Sequence, residues 1–256
     1  MANSEILSAG GVGASCAQKY QIKEISYQLA MSVIVANHYL HRRCPCSQAF
    51  GLFEGGSIIG VICYGTPSSS PLRSGVCGKE ESFNVIELTR LWIQDGTLKN
   101  AESFLIGNTI PKVNKEIIVS YAEIQAGHVG TVYQATNWIY TGLSAKRTNW
   151  TIRGVDKHCQ TIADKYTAKE IREKFGSDFS LVPRPRKHRY VYFNCGKKRK
   201  KVLFSKLRYA VEPYPKSRTS CAKNPAQNTM EICHTAPNTP KPTETSIAEE
   251  PQLRLW

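Results

Sequence analysis

Apolar residues along the chain recur with two different periods, and the switches between them set the expected elements. Residues 22–41 (IKEISYQLAMSVIVANHYLH) place apolar side chains at helical spacing and end in His38-Tyr39. Residues 48–53 and 57–64 flank Glu54-Gly55-Gly56, which predicts a hairpin. The Pro, Ser and Gly density over 66–80 predicts a loop. Residues 83–93 are rich in β-branched and aromatic side chains and read as a strand. Residues 100–113 read as a helix with Pro111 near its end, and 116–124 as an apolar strand. A short helix over 127–137, a strand over 138–140 and a strand over 149–153 follow. Thr167 and Glu170 form a capping box that opens a helix over 167–175, and 190–194 is a further strand.

A helix joining strand 83–93 to strand 116–124 requires that pair to be parallel, whereas the hairpin is antiparallel. The expected fold class is therefore α/β (α+β), one domain with a mixed central sheet. Four regions are expected. These are a flexible leader over 1–18, a catalytic core over 19–180, a basic extension packed on it over 181–218 and a disordered tail over 219–256.

Charge changes this picture. The formal net charge is +14, and residues 181–218 alone hold +12 of it. Residues 1–180 hold only +3 and the tail −1. So concentrated an excess marks a polyanion footprint. Arg184, Arg186, Lys187 and Arg189 precede the aromatic run Tyr190-Val191-Tyr192-Phe193. Lys197, Lys198, Arg199, Lys200 and Lys201 follow it. Because apolar residues interrupt the charge, the segment is expected to fold and to bind nucleic acid through its phosphates.

Other classes are excluded. No run of 18 apolar residues is present, so no membrane span is expected, and residues 1–15 lack the pattern of a secretory signal. Nine scattered cysteines, an odd number, do not make a secreted disulfide framework. A reducing cytoplasm is expected. Cys44-Pro45-Cys46 lies near His38 and His41, but C-x-C is not the C-x₂-C of a zinc knuckle, so these read as unliganded thiols.

Candidate chemistry lies upstream of the basic segment. Glu87 and Arg90 are charges in an otherwise apolar strand, costly there unless paired or facing a cleft. Three apart, they are expected on opposite sheet faces. Ser103, in the first turn of a helix that follows a strand, stands where an acyl or phosphate group is often held, or is a plain cap serine.

Residues 127–142, with Tyr133 on a short helix leading into an aromatic strand and Gly142, resemble the closing segment of the GNAT acetyltransferase fold. The Gly-rich pyrophosphate loop of that fold is replaced here by Asp95-Gly96-Thr97-Leu98-Lys99-Asn100-Ala101. Taken together, the blocks His38-Tyr39, Phe50-Gly51-Leu52-Phe53, Gly60-Val61, Glu87-Leu88-Thr89-Arg90, Ala101-Glu102-Ser103, Tyr121-Ala122-Glu123, Gly127-His128-Val129-Gly130, Tyr133-Gln134-Ala135-Thr136-Asn137 and Tyr214-Pro215-Lys216 resemble the Mom family of phage DNA-modification proteins, over about residues 20 to 216.

That resemblance implies a GNAT-like catalytic core that converts adenine in phage DNA to an N6-carbamoylmethyl form, in the host cytoplasm, and so hides sites from restriction; it also narrows the polyanion met by the basic segment to double-stranded DNA. It places the functional positions on His38, Tyr39, Arg90, Ser103, Glu123 and Tyr133. It also implies acetyl-CoA or a related donor near Asn100, Ala101 and Ser103. The family usually carries Asp where Glu123 stands, a difference of one methylene. Expected roles are Glu123 as base or amine ligand, Tyr133 as proton donor to a leaving group, Arg90 as anion holder and Tyr39 as a stacking platform for the base. Two other readings stay open: an acetyl-CoA-dependent N-acetyltransferase acting on a protein or small-molecule amine, and a non-enzymatic DNA-binding protein.

Overall fold

Gly55 and Gly56, both at positive φ, turn the chain between β2 (Gln48–Glu54) and β3 (Ser57–Gly65). A turn of this kind matches the twist of the strands it joins, and glycine is the residue that adopts it without strain. This hairpin belongs to a computed structural model that describes residues 15–155 and 166–216. The expected tail, and the expected leader as far as residue 14, lie outside the described residues. The end of the expected flexible leader is ordered as α1 (Cys16–Lys19), a helical turn.

Seven strands form the main sheet in the order β1-β2-β3-β4-β5-β9-β6. They comprise β1 (Gln21–Glu24), the hairpin, β4 (Val85–Ile93), β5 (Ile117–Glu123), β6 (Ile139–Leu143) and β9 (Lys187–Phe193). Only β4 and β5 are parallel, as the connecting helix α4 (Ala101–Thr109) demands. A separate two-stranded ribbon pairs β7 (Arg147–Ile152) with β8 (Phe179–Arg184).

Strict alternation sorts side chains to the two faces. Ile62, Tyr64, Ile86, Leu88, Ile118 and Tyr190 pack on one face with Leu105 and Ile106 of α4 and Tyr133 of α5 (Thr131–Ala135). On the other face, Val61 and Cys63 meet Ala30, Met31 and Ile34 of α2 (Tyr27–Asn37). Val85, Val119 and Val191 there meet Val76 of α3 (Ser70–Cys77) and Leu203. Leu203 belongs to the helix Lys197–Ser205. The sheet is thus sandwiched between helices.

Three expectations are corrected. The single helix over 22–41 is a strand followed by a helix. β1 finds a ladder on β2, and the Ser26 hydroxyl accepts the Leu29 N–H at 3.3 Å to start α2 afterwards. The loop over 66–80 contains α3, whose first turn holds Pro71, a position where the missing N–H costs nothing. β8 has no counterpart in the sequence reading. Residues 181–216, expected as an extension packed on a finished core, instead supply β9, the strand between β5 and β6, and the last helix. With Ala168–Phe175 as α6, that helix is α7.

Candidate active site

β4 and β5 pair only at Val85/Ile117, Ile86/Ile118 and Glu87/Val119. Beyond those rungs the two strands have no ladder between them, and a cleft of about 920 Å³ opens there. At the same point β4 carries a bulge. Cys63 opposes Arg90 and Tyr64 opposes Leu88, so Thr89 has no partner of its own. An extra residue shifts the alternation by one. Leu88 and Leu91 therefore share the face that packs under α4, and Glu87 and Arg90 share the other. The expectation that Glu87 and Arg90 face apart is overturned: both line the cleft. The Thr89 hydroxyl donates to the Pro45 carbonyl at 2.9 Å and holds the bulge in place.

The end of α2 delivers His38 and Tyr39 to the same cleft. His38 caps the helix, its N–H donating to Ile34 O at 3.0 Å. Its Nδ1 accepts the Leu40 N–H at 3.1 Å, so the neutral ring keeps its proton on Nε2. Burial pushes the imidazole down to about 4, and the Arg90 guanidinium pushes the same way. His38 is therefore neutral at physiological pH. The Tyr39 ring stacks on it, centroids 4.3 Å apart.

Glu123, at the end of β5, is held from two sides. The Tyr39 hydroxyl donates to Oε2 at 3.3 Å, and Lys187 Nζ lies 3.6 Å from Oε1. Burial, reinforced by Glu123, raises the Tyr39 phenol above its usual value. Arg90 gives one N–H to the Thr89 carbonyl at 2.6 Å. Its buried Nε has no hydrogen-bond partner among the described residues, as is also true of Arg73 Nε and Trp138 Nε1. Burial raises the Glu87 carboxyl to about 7 against the opposing pull of Arg90, so it titrates near neutrality.

Tyr133 reaches the cleft from the opposite face. Gly130, at φ 78°, begins its helix, and a Cβ there would run into the Tyr190 ring. Gln134 Nε2 donates to the Pro215 carbonyl at 3.2 Å, and the Tyr214 hydroxyl to Trp138 O at 2.6 Å. The segment past α7 is thus strapped to α5 and the residues just after it. The Tyr133 ring packs 5.1 Å from both Trp138 and Tyr190. Its oxygen lies 2.8 Å from Ser120 Oγ, and burial pushes the phenol up to about 12.

His38, Tyr39, Arg90, Glu123 and Tyr133 all line one cleft, whereas Ser103 does not. From the first turn of α4 it is Glu102 that faces the cleft. Ser103 Oγ donates to Asn100 O at 3.0 Å, and Ala101 is fully buried. The sequence reading missed Glu87 as a site residue, and also His128, whose ring lies 6.2 Å from Tyr39. It lay in the quoted block Gly127-His128-Val129-Gly130, which was the only signal. Of the residues expected to bind DNA, Arg184, Lys187 and Arg189 line the cleft, and Lys197, Lys198, Lys200 and Lys201 are exposed on α7. Arg186 donates to the Ser144 carbonyl at 2.6 Å, and Arg199 is ion-paired to Glu81 and Glu116 at 2.6 and 2.8 Å. Cys44, Cys46 and Cys63 cluster behind the bulge, where a hydrogen bond from Cys63 holds the Cys44 thiol below its usual value. Among the described residues no three His, Cys, Asp or Glu side chains form a metal-ligand set, and no helix is long and apolar enough to cross a membrane.

The chain belongs to the Mom protein family, which it matches over residues 19–216. Among curated proteins it is 27% identical over 207 residues to the methylcarbamoylase Mom of Escherichia phage Mu, covering 78% of this chain and 85% of that one. Similar solved structures include an N-acetyltransferase from Staphylococcus aureus Mu50, 13% identical with a TM-score of 0.40, covering 69% of this chain and 99% of that one. A GNAT-family acetyltransferase from Bacillus cereus is 11% identical with a TM-score of 0.36, covering 69% and 99%.

Proposed function

We propose that the protein is a DNA-modifying transferase that attaches a carbamoylmethyl group to N6 of adenine in phage DNA, in the host cytoplasm, and so shields that DNA from restriction. Membership of the Mom family supports a modification of this class. The observation that carries the reading is the meeting of Tyr39, Arg90, Glu123 and Tyr133 in one cleft rimmed by Arg184, Lys187 and Arg189.

The adenine amine is a weak nucleophile because its lone pair is delocalised into the ring. Bond formation at N6 requires that one N–H proton leave. Glu123, oriented by Tyr39 and Lys187, is placed to accept that amine, and Glu87, with a carboxyl near 7, is placed to take up a proton. Tyr133 keeps its proton at neutral pH and can return one to the cleft. The Tyr39 ring, already stacked on His38, offers a platform for a base that has left the duplex.

The donor is the weakest-fitting part. Acetyl-CoA or a related donor would place its phosphates at the start of α4. There the Ser103 hydroxyl is engaged by Asn100 and Glu102 brings a like charge, so these residues do not fit that group and no step is derived through it. A carbamoylmethyl product is an alkylated amine, which acetyl transfer alone does not produce.

Mass spectrometry of nucleosides from DNA made in cells producing the protein tests the proposal. A carbamoylmethyl-adenine peak is expected, reduced at least ~10²-fold in Arg90→Ala and Tyr133→Phe variants that fold normally. Unmodified adenine beside folded protein overturns it. An acetylated amine elsewhere would favour the N-acetyltransferase reading.

A further inference from the structure

The β7–β8 ribbon stands outside the main sheet and, apart from Arg184 at the cleft rim, is not used by the chemistry above. Its register pairs Arg147 with Arg184, Asn149 with Val182 and Thr151 with Ser180. Directly opposed residues of an antiparallel pair lie on the same face, so these six share one. Thr151 Oγ1 and Ser180 Oγ, 2.9 Å apart, show the alignment directly. The other face carries Ile152 and Phe179, which pack with Ile171 and Phe175 of α6. That end of the apolar face is covered, whereas Leu181 farther along it is 57% exposed; on the opposite, outward face Arg147, Thr151, Ser180, Val182 and Arg184 are exposed.

Two features of the outward face point to a ligand. Arg147 and Arg184 are opposed like charges, a pairing that destabilises a ribbon. Among the described residues neither is ion-paired. Both also line the cleft, so the repulsion sits where an anion lying across the cleft mouth would relieve it. Behind them stand an amide, two hydroxyls and a methyl-bearing side chain. These are the groups that read adenine edges, either base, and the thymine methyl. From Arg147 to Thr151 the face spans roughly 13 Å, about four base-pair steps, and a two-stranded ribbon is of a size that the major groove admits.

We infer that this ribbon is a sequence-reading contact with duplex DNA beside the cleft. Arg147 and Arg184 hold a backbone phosphate, and Asn149, Thr151, Ser180 and Val182 meet the base edges that flank the target adenine. The inference rests on the proposed DNA substrate and deepens it by naming what selects the site.

The test uses the full chain as wild type, as Arg147→Gln/Arg184→Gln and as Asn149→Ala/Thr151→Ala, each checked for native thermal unfolding. Binding to a labelled duplex is measured from 50 to 200 mM salt by anisotropy. Modified adenines in a co-expressed plasmid are mapped with their flanking sequence. The arginine variant is expected to lose about 1.8 from the slope of log affinity against log salt, two phosphate contacts' worth. The Asn/Thr variant is expected to keep its slope and to lose roughly tenfold in discrimination at a flanking position. Should either double variant unfold, Arg184→Gln and Thr151→Ala alone carry the comparison.

Unchanged slope and unchanged flanking preference, in a protein that binds and modifies DNA, overturn the ribbon inference and leave the reaction standing. A ribbon-dependent slope with adenine left unmodified overturns the reaction and supports the ribbon. A wild type that binds single strands or RNA but not the duplex overturns the ribbon.

Discussion

Lys187 and Arg189 on β9 and the run Lys197 to Lys201 on α7 come from one stretch of positive charge, yet the fold puts them to different uses. On β9, Lys187 faces Glu123, and Arg189 lies over the Tyr209 ring at 3.3 Å with its Nε donating to Thr141 at 2.9 Å. On α7, Arg199 turns inward to Glu81, whose side chain is only 6% exposed, and Lys206 just past the helix joins it at 2.7 Å. Lys197, Lys198, Lys200 and Lys201 point outward. Lys197 and Lys198 begin the helix, where positive charge opposes the helix dipole. A nearby polyanion would relieve that. Net charge in a sequence therefore overstates the charge free to meet a polyanion, since a guanidinium neutralised by the buried Glu81 and half-buried Glu116 is part of the frame.

The largest effect that would break this comparison is on stability. Arg199→Ala leaves Glu81 with Lys206 alone and is expected to cost about 3 kcal/mol, lowering Tm by roughly 6–12 °C, whereas Lys198→Ala leaves Tm unchanged. Equal thermal unfolding of the two variants would erase the distinction. The same pair sets an acid limb. Arg199, then Lys206, holds the Glu81 carboxyl down at about 2, below its unfolded value. Its stabilisation is complete above about pH 4.5 and lost as pH falls toward 2, a decline that Arg199→Ala should flatten.

Next in size is Lys187→Met. Removing the ammonium that steadies Glu123 is expected to slow modification of bound DNA about tenfold, ~1.4 kcal/mol of barrier. Single-turnover rates at saturating DNA measure it. An unchanged rate would make Lys187 a plain surface charge. Lys197→Ala/Lys198→Ala should instead act on binding, reducing the salt slope by about 1.8, and titration at several salt concentrations reads this.

A pH dependence sharpens the view of the cleft. Glu87 has a folded value raised to about 7. Between about pH 4.5 and 7 the folded chain holds a proton that the unfolded chain has lost, so stability falls as pH rises through that window. Glu87→Gln should abolish this slope in Tm against pH. A slope that persists in the variant assigns it to other groups.

Much of the fold was legible because local chemistry and global topology agree. The Gly55-Gly56 turn, the capping box at Thr167 and the parallel β4/β5 pair were all readable. Where they disagree, reading failed. The apolar spacing of 22–41 suits a helix throughout, but a free edge on β2 draws residues 21–24 into a strand. Five of the six expected site residues meet in the cleft. Ser103 does not, because helical geometry at the start of α4 turns Glu102 to the opening and gives the Ser103 hydroxyl a backbone partner. Glu87 was noticed but expected on the face away from Arg90, because the bulge at Thr89 that turns Arg90 to its side leaves no mark in a periodic pattern.

The sequence by itself determined the periods, the turns, the motif blocks and the location of the excess charge, since each depends on neighbours within a few residues. Only the tertiary structure decided that Glu87 and Arg90 face one cleft, that Arg199 is internal while its neighbours are not, and that Arg147 opposes Arg184. Each of those outcomes is set by ladder register or by a partner dozens of residues away, and burial then makes the pairing costly to avoid.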